Sequence, residues 1–391
     1  MCGLCGEITV DGSPASVEAM EAMTCSMVPR GPDAGGIVSR GAFAFGHRRL
    51  KIIDLSERGQ QPMVDSDLGL TLVFNGCIYN HKELRAELEA KGYRFFSTSD
   101  TEVVLKAWHA WGPEAPTRFN GMFAVVVAER VTGRVAMGRD RRGSKPLYYT
   151  LNDGRLRCAS TLPALVAAGD VDTALDPVGL AHYMTFHAVV PPPHTILRGV
   201  RKLPPATLRL IEPDGSFKDT RYWDLRFDRS AEDLETSDAE WKNRVGAALR
   251  RAVDRRMIAD VPVGVLLSGG VDSSLIVGLL AEAGQQHLKT FSIGFEAAHG
   301  EAGDEFKYSD IIAKHFGTDH TKIMIPTGNM LESLPDTIAA MSEPMVSYDN
   351  VGFYLLSREV AKHVKVVQSG QGADEVFAGY HWYPKLASSN N

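Results

Sequence analysis

The chain begins Met1-Cys2-Gly3-Leu4-Cys5-Gly6, and this stretch decides how the first half of the sequence is interpreted. The small residue at position 2 allows the initiator methionine to be removed, which leaves Cys2 with a free α-amine. Such an amine has a pKa of about 7.7–8.0, so part of it is unprotonated near neutral pH. It can act as general base for the thiol of its own residue, as in N-terminal threonine nucleophiles. Cys2 could instead be a small apolar residue that starts a strand, and this residue alone does not decide between the two alternatives.

Length and composition exclude several classes of protein. With 391 residues, 44% of them hydrophobic and 23% charged, the chain has the composition of a soluble globular protein of two or three domains. A net charge of −6 argues against a nucleic-acid partner. There is no apolar run long enough for a membrane span and no basic-then-apolar start typical of a secretory signal.

Cysteine usage indicates the compartment. The five cysteines are Cys2, Cys5, Cys25, Cys77 and Cys158. An odd number of cysteines scattered over a long chain is typical of reduced thiols, which predicts a cytoplasmic location. The spacing of Cys2 and Cys5 also fits half of a zinc or redox pair, but no second pair follows in the sequence.

The hydrophobic pattern divides the chain into three parts. Residues 2–190 mix short strands with helices at 16–27, after Asn80 and after Ser99, where Glu102 suggests a capping box. The strand-like runs are 42–45, 50–53, 70–74, 122–128, 134–138 and 147–150. Residues 191–237 are rich in proline and are predicted to be connecting and edge structure. Locally paired strands with helices set to one side predict a layered antiparallel-sheet domain in the first part.

Residues 238–391 follow a different pattern, in which apolar strands alternate with helices. The predicted strands are 263–267, 290–295, 322–325 and 364–367. Helices are predicted before the first strand, between the strands and over 330–341. Because each strand is almost entirely apolar, the pattern predicts a parallel sheet covered on both faces.

Two Ser-Gly loops follow strands of this second part. They read SGGVDSS at 268–274 and SGQGADE at 369–375. Backbone N–H groups at a helix start form an anion cradle, although a Gly-Gly turn is also a plain tight connection. Ligands of open parallel sheets bind beyond the carboxyl ends of the strands, so the loops are expected to share one pocket. Asp272 and Asp374 would then bind Mg²⁺ together with phosphate oxygens.

Together these motifs resemble the glutamine-dependent asparagine synthetases along essentially the whole chain. The matching motifs are MCG at 1–3, RGPD at 30–33, GHRRLKIID at 46–54, NGCIYN at 75–80, SDTE at 99–102, SGGVDSS at 268–274 and SGQGADEVFAGY at 369–380. The resemblance implies an α+β N-terminal-nucleophile glutaminase domain, a four-layer αββα sandwich of the class II amidotransferase type. It further implies an α/β parallel-sheet ATP-pyrophosphatase domain, of the adenine nucleotide alpha hydrolase-like type.

The resemblance also implies roles for individual residues. In the glutaminase half, Cys2 would attack the glutamine amide, with Asn75 and the Gly76 N–H stabilising the oxyanion. Arg49 would hold the α-carboxylate of glutamine, and Asp100 would hold its α-ammonium. The alternatives are a surface arginine for Arg49 and a helix cap for Asp100. The remaining glutamine-binding positions are Leu50, Ile53 and Cys77. The ATP-binding positions are Leu267, Ser268, Gly269, Gly270, Asp272, Ser273, Ser274, Ile293, Ser369 and Gly370, with Asp272 and Asp374 on the metal.

Two departures from the family pattern bear on the acceptor. Cys77 replaces a glutamate that contacts the glutamine ammonium, and Gln371 replaces a glutamate of the SGEG loop. With the run FHAVVPPPHTIL at 186–197, these differences resemble the N-acetylglutaminylglutamine amidotransferases. The expected acceptor is therefore that acetylated dipeptide, with aspartate as the alternative. Relatives continue well past the position of Tyr380 with a helical region that carries a catalytic lysine, so we expect an incomplete C-terminal domain.

The expected reaction is an ATP- and glutamine-dependent amidation of a carboxylate, with AMP and pyrophosphate as products. An internal passage for ammonia is also expected, because ammonia released into water becomes protonated. Two other functions stay open: a glutaminase whose second part only packs, and a protein that senses ATP or glutamine without catalysis. Relatives often form homodimers, but the sequence does not give the oligomeric state.

Overall fold

The computed structural model describes residues 1–296, 304–326, 328–347 and 349–389. The chain forms two compact units. Unit 1 contains Met1–Asp228 together with Met341–Val346, and unit 2 contains Arg229–Ala340 and Ser347–Asn391.

Unit 1 contains two antiparallel sheets. Its strands are β1 (Gly3–Thr9), β2 (Ala34–Arg40), β3 (Phe43–Arg49), β4 (Met63–Asp65), β5 (Leu70–Ile78), β6 (Gly121–Glu129), β7 (Val135–Arg139), β8 (Tyr148–Asn152), β9 (Arg155–Ala159), β10 (Arg201–Lys202), β11 (Thr207–Ile211) and β12 (Phe217–Arg221). The strand order is β10-β8-β9-β1-β3-β2 in the first sheet and β12-β11-β7-β6-β5-β4 in the second. The first strand of the chain therefore lies inside a sheet and has a partner on each side.

Within the described residues, unit 1 contains six α-helices, most of which cover the outer faces of its two sheets. They are α1 (Val17–Ser26), α2 (His81–Ala90), α3 (Asp100–Trp111), α4 (Ala115–Arg118), α5 (Leu162–Ala167) and α6 (Pro177–Thr185). One buried cluster joins α1 and α5 to the first sheet, and another joins α2, α3 and α4 to the second. A third cluster lies between the sheets. The layer order is helix, sheet, sheet, helix, which confirms the predicted αββα sandwich.

The alternation of side chains along the strands produces these layers. Successive residues of a strand point to opposite faces of its sheet. In β5, Leu72 and Phe74 join the cluster under the helices, whereas Val73 joins the cluster between the sheets. Because both faces are buried, the register is strongly fixed: a slip of one residue would reverse every side chain.

Of the six strands predicted in unit 1, five are present, as β3, β5, β6, β7 and β8. Strands β2, β4 and β9 have no counterpart among the predictions, and two other predictions are wrong. Residues 50–53 are not a strand, because the chain there turns around the side chain of Arg49, which donates hydrogen bonds to the carbonyls of Ser56 and Ile53. The Ser99 hydroxyl does accept a bond from an N–H of α3. Glu102 does not complete the capping box, since its carboxylate accepts bonds from the N–H groups of Phe96 and Ser97 instead.

Unit 2 is built on a parallel sheet of four strands. The strands are β13 (Val263–Leu266), β14 (Lys289–Phe295), β15 (Asp319–Ile325) and β16 (Val366–Gln368), in the order β15-β14-β13-β16. The helices are α7 (Ala231–Glu235), α8 (Asp238–Arg255), α9 (Val271–Glu282), α10 (Phe306–Phe316), α11 (Gly328–Glu332), α12 (Leu334–Ala340), α13 (Asp349–Val360), α14 (Ala373–Phe377) and α15 (Tyr383–Ser389). All pairs in the sheet are parallel, which confirms the predicted fold class.

Two clusters cover the sheet of unit 2. One joins the sheet to α8, α9 and α10, and the other joins it to α13. The single helix predicted over 330–341 is wrong, since α11 and α12 replace it, and α13 was not predicted. Within the described ranges, no helix combines the length and apolar character that crossing a membrane requires.

A buried ion-pair network ties β1 to the rest of unit 1. The Glu7 side chain is fully buried and accepts bonds from Arg157 Nε at 2.6 Å, Arg155 Nη1 at 2.9 Å and Ser16 N at 2.7 Å. Burial opposes ionisation of the carboxyl group, but the bonds from Ser16 and Arg157 outweigh it and hold the pKa of Glu7 below its usual range. Glu7 is therefore a charged group on which the folding of β1 depends.

We expect Glu7→Gln to destabilise the protein by about 2–4 kcal/mol at pH 7, because Arg157 loses its buried counter-ion. A carboxyl group with a lowered pKa stabilises the fold above its unfolded pKa of about 4.3, and this contribution is lost as the pH falls through the folded pKa. The difference from wild type, measured by chemical denaturation, should be full at pH 7 and shrink below about pH 4.

The matched control is Glu87→Gln, which breaks a pair with Arg118 whose side chains are 42% and 38% exposed. That change should shift the free energy of unfolding by less than about 0.5 kcal/mol. Equal effects of the two substitutions would show that the Glu7 network carries no special weight.

Candidate functional site

The thiol of Cys2 lies against the backbone that follows β3. Leu50 N–H donates to Cys2 Sγ at 3.3 Å, and the Leu50 carbonyl is 3.7 Å from the same sulfur. Arg30 Nε donates to the Cys2 carbonyl at 3.1 Å. β1 begins at the next residue, so pairing of β1 with β3 sets the approach of Cys2 to Leu50. Two stretches 48 residues apart in sequence thus form the centre of this site.

Burial controls ionisation around Cys2. Burial raises the pKa of the Cys2 thiol, and the Leu50 N–H bond, the Met1 amine and Arg49 oppose this only in part. Burial also lowers the pKa of the Met1 amine to about 6, although the Met1 side chain is half exposed. The Met1 amine therefore loses its proton more readily than an exposed terminal amine, and a thiol whose pKa is raised needs a base to lose its proton.

Asn75 and Gly76 lie near the end of β5, opposite Ala124 and Phe123 of β6. The Asn75 side chain is buried, and its Nδ2 donates to Ser160 Oγ at 3.4 Å. A Cβ on Gly76 would lie 2.8 Å from Phe123 Cβ and in closer contact with the Met122 carbonyl. Only glycine fits this close approach of two strands.

Arg49, Leu50 and Ile53 come together on the turn after β3. The Arg49 guanidinium is buried and donates to the carbonyls of Ser56 at 2.9 Å and Ile53 at 3.3 Å, and also to that of Asp54. Carbonyl oxygens thus fix the plane of the guanidinium. Arg49 is therefore not a surface residue, and the carbonyls of Ile53 and Asp54 occupy its Nη2 atom.

Asp100 stands at the first position of α3 and connects that helix to β5. Its Oδ2 accepts a bond from Ile78 N at 3.0 Å, one residue beyond Cys77. Burial raises the pKa of the Asp100 carboxyl group, and the Ile78 N–H and His81 oppose this in part. Asp100 also contributes to the electrostatic environment of the Cys2 thiol. Cys77 is half-buried. Both Cys77 and Cys2 interact electrostatically with the ammonium of Lys145 and partly oppose the lowering of its pKa by burial.

Unit 2 carries a separate cavity of about 320 Å³ beyond the carboxyl ends of its parallel strands. Of the sequence-predicted positions, it brings together Leu267, Ser268, Gly270, Asp272, Ser273, Ile293, Ser369, Gly370 and Asp374. Gly269 and Ser274 do not line the cavity. The adjacent strands β13 and β16 place the two Ser-Gly loops side by side, as the sequence predicted.

The two Ser-Gly loops are in direct contact. A Cβ on Gly370 would lie 2.9 Å from Asp272 Cβ and 3.0 Å from Ser273 N. Gly269 has φ +87°, and a Cβ there would meet the backbone of Ser309. Glycine is therefore required in each loop, by close approach at Gly370 and by backbone conformation at Gly269. Across the described part of the chain, no three His, Cys, Asp or Glu side chains are grouped so that they could hold a metal ion themselves.

Several residues of these sites were missed in the sequence. Ser160 contacts Asn75 in unit 1, and Phe291, Ser292, Phe353 and Gln371 line the cavity of unit 2. The sequence predicts a role for Gln371 in acceptor recognition and not in this cavity. Ser160 lies directly after β9, and Phe291, Ser292 and Phe353 lie in β14 and α13; no local motif surrounds any of them, so their sequence context held no signal.

Comparison with known proteins assigns both halves of the chain. Residues 1–223 match the glutamine amidotransferase domain family, and residues 244–391 match the asparagine synthase family. The chain belongs to the glutamine-hydrolysing asparagine synthetase family. The resemblance found in the sequence motifs is thereby confirmed.

Three relatives illustrate the extent of the similarity. The chain is 36% identical over 386 residues to asparagine synthetase (glutamine-hydrolysing) 1 of Bacillus subtilis, and 31% identical over 399 residues to synthetase 3 of that organism. It covers 59% and 64% of these two synthetases, with 98% of its own length in each case. It is also 33% identical to putative asparagine synthetase 2 of Methanocaldococcus jannaschii, with 97% of this chain and 76% of that relative covered.

The packing around Gly76 gives a prediction that does not depend on activity. We expect Gly76→Ala to destabilise the protein by about 1–3 kcal/mol, because the new methyl group would push β6 away from β5. The measurement is chemical denaturation monitored by circular dichroism. The control Gly246→Ala lies within α8, where the new Cβ would meet only the end of the Arg250 side chain at 3.2 Å. That control should be neutral or stabilising, so destabilisation by both variants would contradict the packing argument.

Proposed function

We propose that the protein catalyses the ATP- and glutamine-dependent amidation of a carboxylate, as the asparagine synthase type of reaction. The observation that carries the proposal is the contact of Cys2 Sγ with Leu50 N–H, in a member of this family. A thiol in this setting would act as the nucleophile, and the cavity of unit 2 has a size and polarity that would suit a nucleotide.

In the proposed glutaminase half-reaction, the Cys2 amine takes the thiol proton and the thiolate attacks the side-chain amide carbon of glutamine. The developing oxyanion accepts hydrogen bonds from Asn75 Nδ2 and the Gly76 N–H. Collapse of the tetrahedral intermediate breaks the C–N bond, and the proton passes to the leaving nitrogen, which departs as ammonia. Water then cleaves the thioester and releases glutamate.

The proposed glutamine pocket uses charges at its two ends. Arg49, whose guanidinium plane is fixed by backbone carbonyls, would pair with the α-carboxylate of glutamine. Asp100 would pair with the α-ammonium, and that pairing would offset the burial that raises its pKa. Leu50, Ile53 and Cys77 complete the proposed pocket. With cysteine at position 77, Asp100 supplies the negative charge among these residues.

The cavity of unit 2 would bind ATP. Backbone N–H groups and serine hydroxyls of the two Ser-Gly loops suit the phosphates, and Leu267 and Ile293 suit the adenine ring. The donor set also fits Mg²⁺, since Asp272 and Asp374 offer carboxylate oxygens beside the phosphate-binding loops. When bound, Mg²⁺ supplies positive charge that neutralises the phosphate oxygens. Attack of the acceptor carboxylate on the α-phosphate would release pyrophosphate, and ammonia would then displace AMP.

For the acceptor we propose N-acetylglutaminylglutamine. The support is Gln371, a neutral amide that lines the cavity beside Asp374. A neutral amide donates and accepts hydrogen bonds but does not take a proton, which suits an amide-rich dipeptide. Aspartate is the acceptor that remains to be excluded by experiment. A cytoplasmic location and a homodimer also stay predictions. All five cysteines lie in the described residues, and no disulfide links them.

Replacement of the nucleophile should separate the two half-reactions. We expect Cys2→Ala to lower glutamine hydrolysis by at least about 10³-fold, because the reaction loses its covalent step. With ammonium chloride at pH 8.5 in place of glutamine, pyrophosphate release should stay within about threefold of wild type. Cys25→Ala, which removes an exposed thiol, serves as the control. Loss of the ammonia-driven reaction in Cys2→Ala would overturn the division of labour between the two units.

An acceptor screen tests the second half-reaction. The protein is incubated with ATP, Mg²⁺, glutamine and either the acetylated dipeptide or aspartate, and pyrophosphate and the amidated product are measured. We expect the dipeptide to give kcat/KM at least tenfold above that of aspartate. A higher value for aspartate would replace the proposed acceptor. If glutamine is hydrolysed but pyrophosphate is released with neither acceptor, the protein is a glutaminase and the proposed ligase function is wrong.

A further inference from the structure

Ser160 lies directly after β9, where that strand pairs with β1, and its side chain is fully buried. Its backbone N–H donates to the Leu4 carbonyl at 2.9 Å, and its Oγ accepts from Leu4 N at 3.1 Å. Ser160 therefore both donates to and accepts from Leu4 of β1. Leu4 lies two residues after Cys2. These contacts extend the pairing of β9 with β1 toward the nucleophile.

The same hydroxyl reaches the second sheet of unit 1. Asn75 Nδ2, on β5, donates to Ser160 Oγ at 3.4 Å. The Asn75 side chain is 1% exposed, so bulk water is not available as a replacement acceptor. One oxygen atom thus accepts bonds from both the strand that follows Cys2 and the amide of Asn75.

This contact decides which donor of Asn75 remains available. The amide nitrogen carries two N–H groups, and the bond to Ser160 occupies one of them. The second N–H is then directed away from Ser160, in the orientation set by the plane of the amide. Without an acceptor at position 160, the amide would be free to rotate or to exchange the places of its oxygen and nitrogen. An oxyanion donor is effective only when it is fixed before the reaction begins.

We propose that Ser160 is the positioning residue of the glutaminase site: it fixes the Asn75 amide relative to the strand that carries Cys2. The inference rests on the proposed function, in which Cys2 attacks glutamine and Asn75 binds the oxyanion. Ser160 does not contact the substrate, and it acts through Asn75.

The test is the glutaminase reaction of the full chain. Ser160→Ala should lower kcat by about 10- to 100-fold, because the oxyanion donor is no longer held in place. KM for glutamine and the inhibition constant of glutamate should stay within about threefold of wild type, since ground-state binding does not use the oxyanion contact. A kcat within threefold of wild type would overturn the proposal.

Two controls separate positioning from loss of stability. Thr195→Val removes another fully buried hydroxyl, which donates to the carbonyls of Leu197 and Val200, and should leave kcat unchanged. Ser160→Cys, which keeps the size of the side chain with a weaker acceptor, should also lower kcat and replaces Ser160→Ala if that variant does not fold.

A double-mutant cycle supplies the decisive comparison. If Ser160 acts through Asn75, Ser160→Ala should change kcat by less than about threefold in an Asn75→Ala background. The same loss in both backgrounds would show an independent, structural role and would overturn the inference. A wild type that does not hydrolyse glutamine, or an Asn75→Ala variant with normal kcat, would instead refute the proposed function itself.

Discussion

The pairing of β1 on both of its edges is the constraint on which the first unit depends. β3 and β9 satisfy the backbone groups of β1 from opposite sides, and Leu4 and Cys5 project into different buried clusters. A strand held in this way cannot shift by one residue without moving each side chain into the opposite buried cluster. The residue immediately before it, Cys2, is placed against Leu50 as a consequence. The candidate nucleophile is therefore positioned by the core of the unit and not by a mobile terminus.

Buried polar groups extend this rigidity around the thiol. Asp140 accepts four backbone N–H bonds, from Phe123, Arg142, Ser144 and Lys145, and so shapes the loop that carries the buried Lys145 ammonium. Burial lowers the pKa of Lys145, and the Cys2 thiol and Asp140 partly oppose this. Arg139 donates to the carbonyls of Lys145, Leu203 and Gly143. Hydrogen bonds from Asp140 and Arg139 thus shape the loop that places the Lys145 ammonium close enough to Cys2 to interact with it electrostatically.

Unit 2 forms its cavity on a parallel sheet, unlike the antiparallel sheets of unit 1. Parallel strands end at one edge of a sheet, so the loops that follow the adjacent strands β13 and β16 meet although β14 and β15 lie between them in the sequence. The contact of Gly370 with Asp272 brings the loop backbones together, and the cavity forms beside this contact. Apolar side chains from β14 and α13 line its other side. The cavity therefore has hydrogen-bond donors at one end and an apolar wall at the other, a distribution complementary to that of a nucleotide.

Local sequence determined the parts of this protein whose physical cause is local. Apolar runs predicted the central strands β5 and β6 and all the strands of unit 2. The N-cap Ser99 marked the start of α3, and glycine-containing loops after strands marked the cavity of unit 2. The tertiary structure decided what depends on partners distant in sequence. Residues 50–53 have strand-like composition but turn to enclose the Arg49 guanidinium, and α13 forms because it covers an apolar face of the sheet. Ser160 meets Leu4 from 156 residues away and Asn75 from 85 residues away. Such contacts arise from the packing of two sheets, and packing at that range leaves no pattern in the residues on either side.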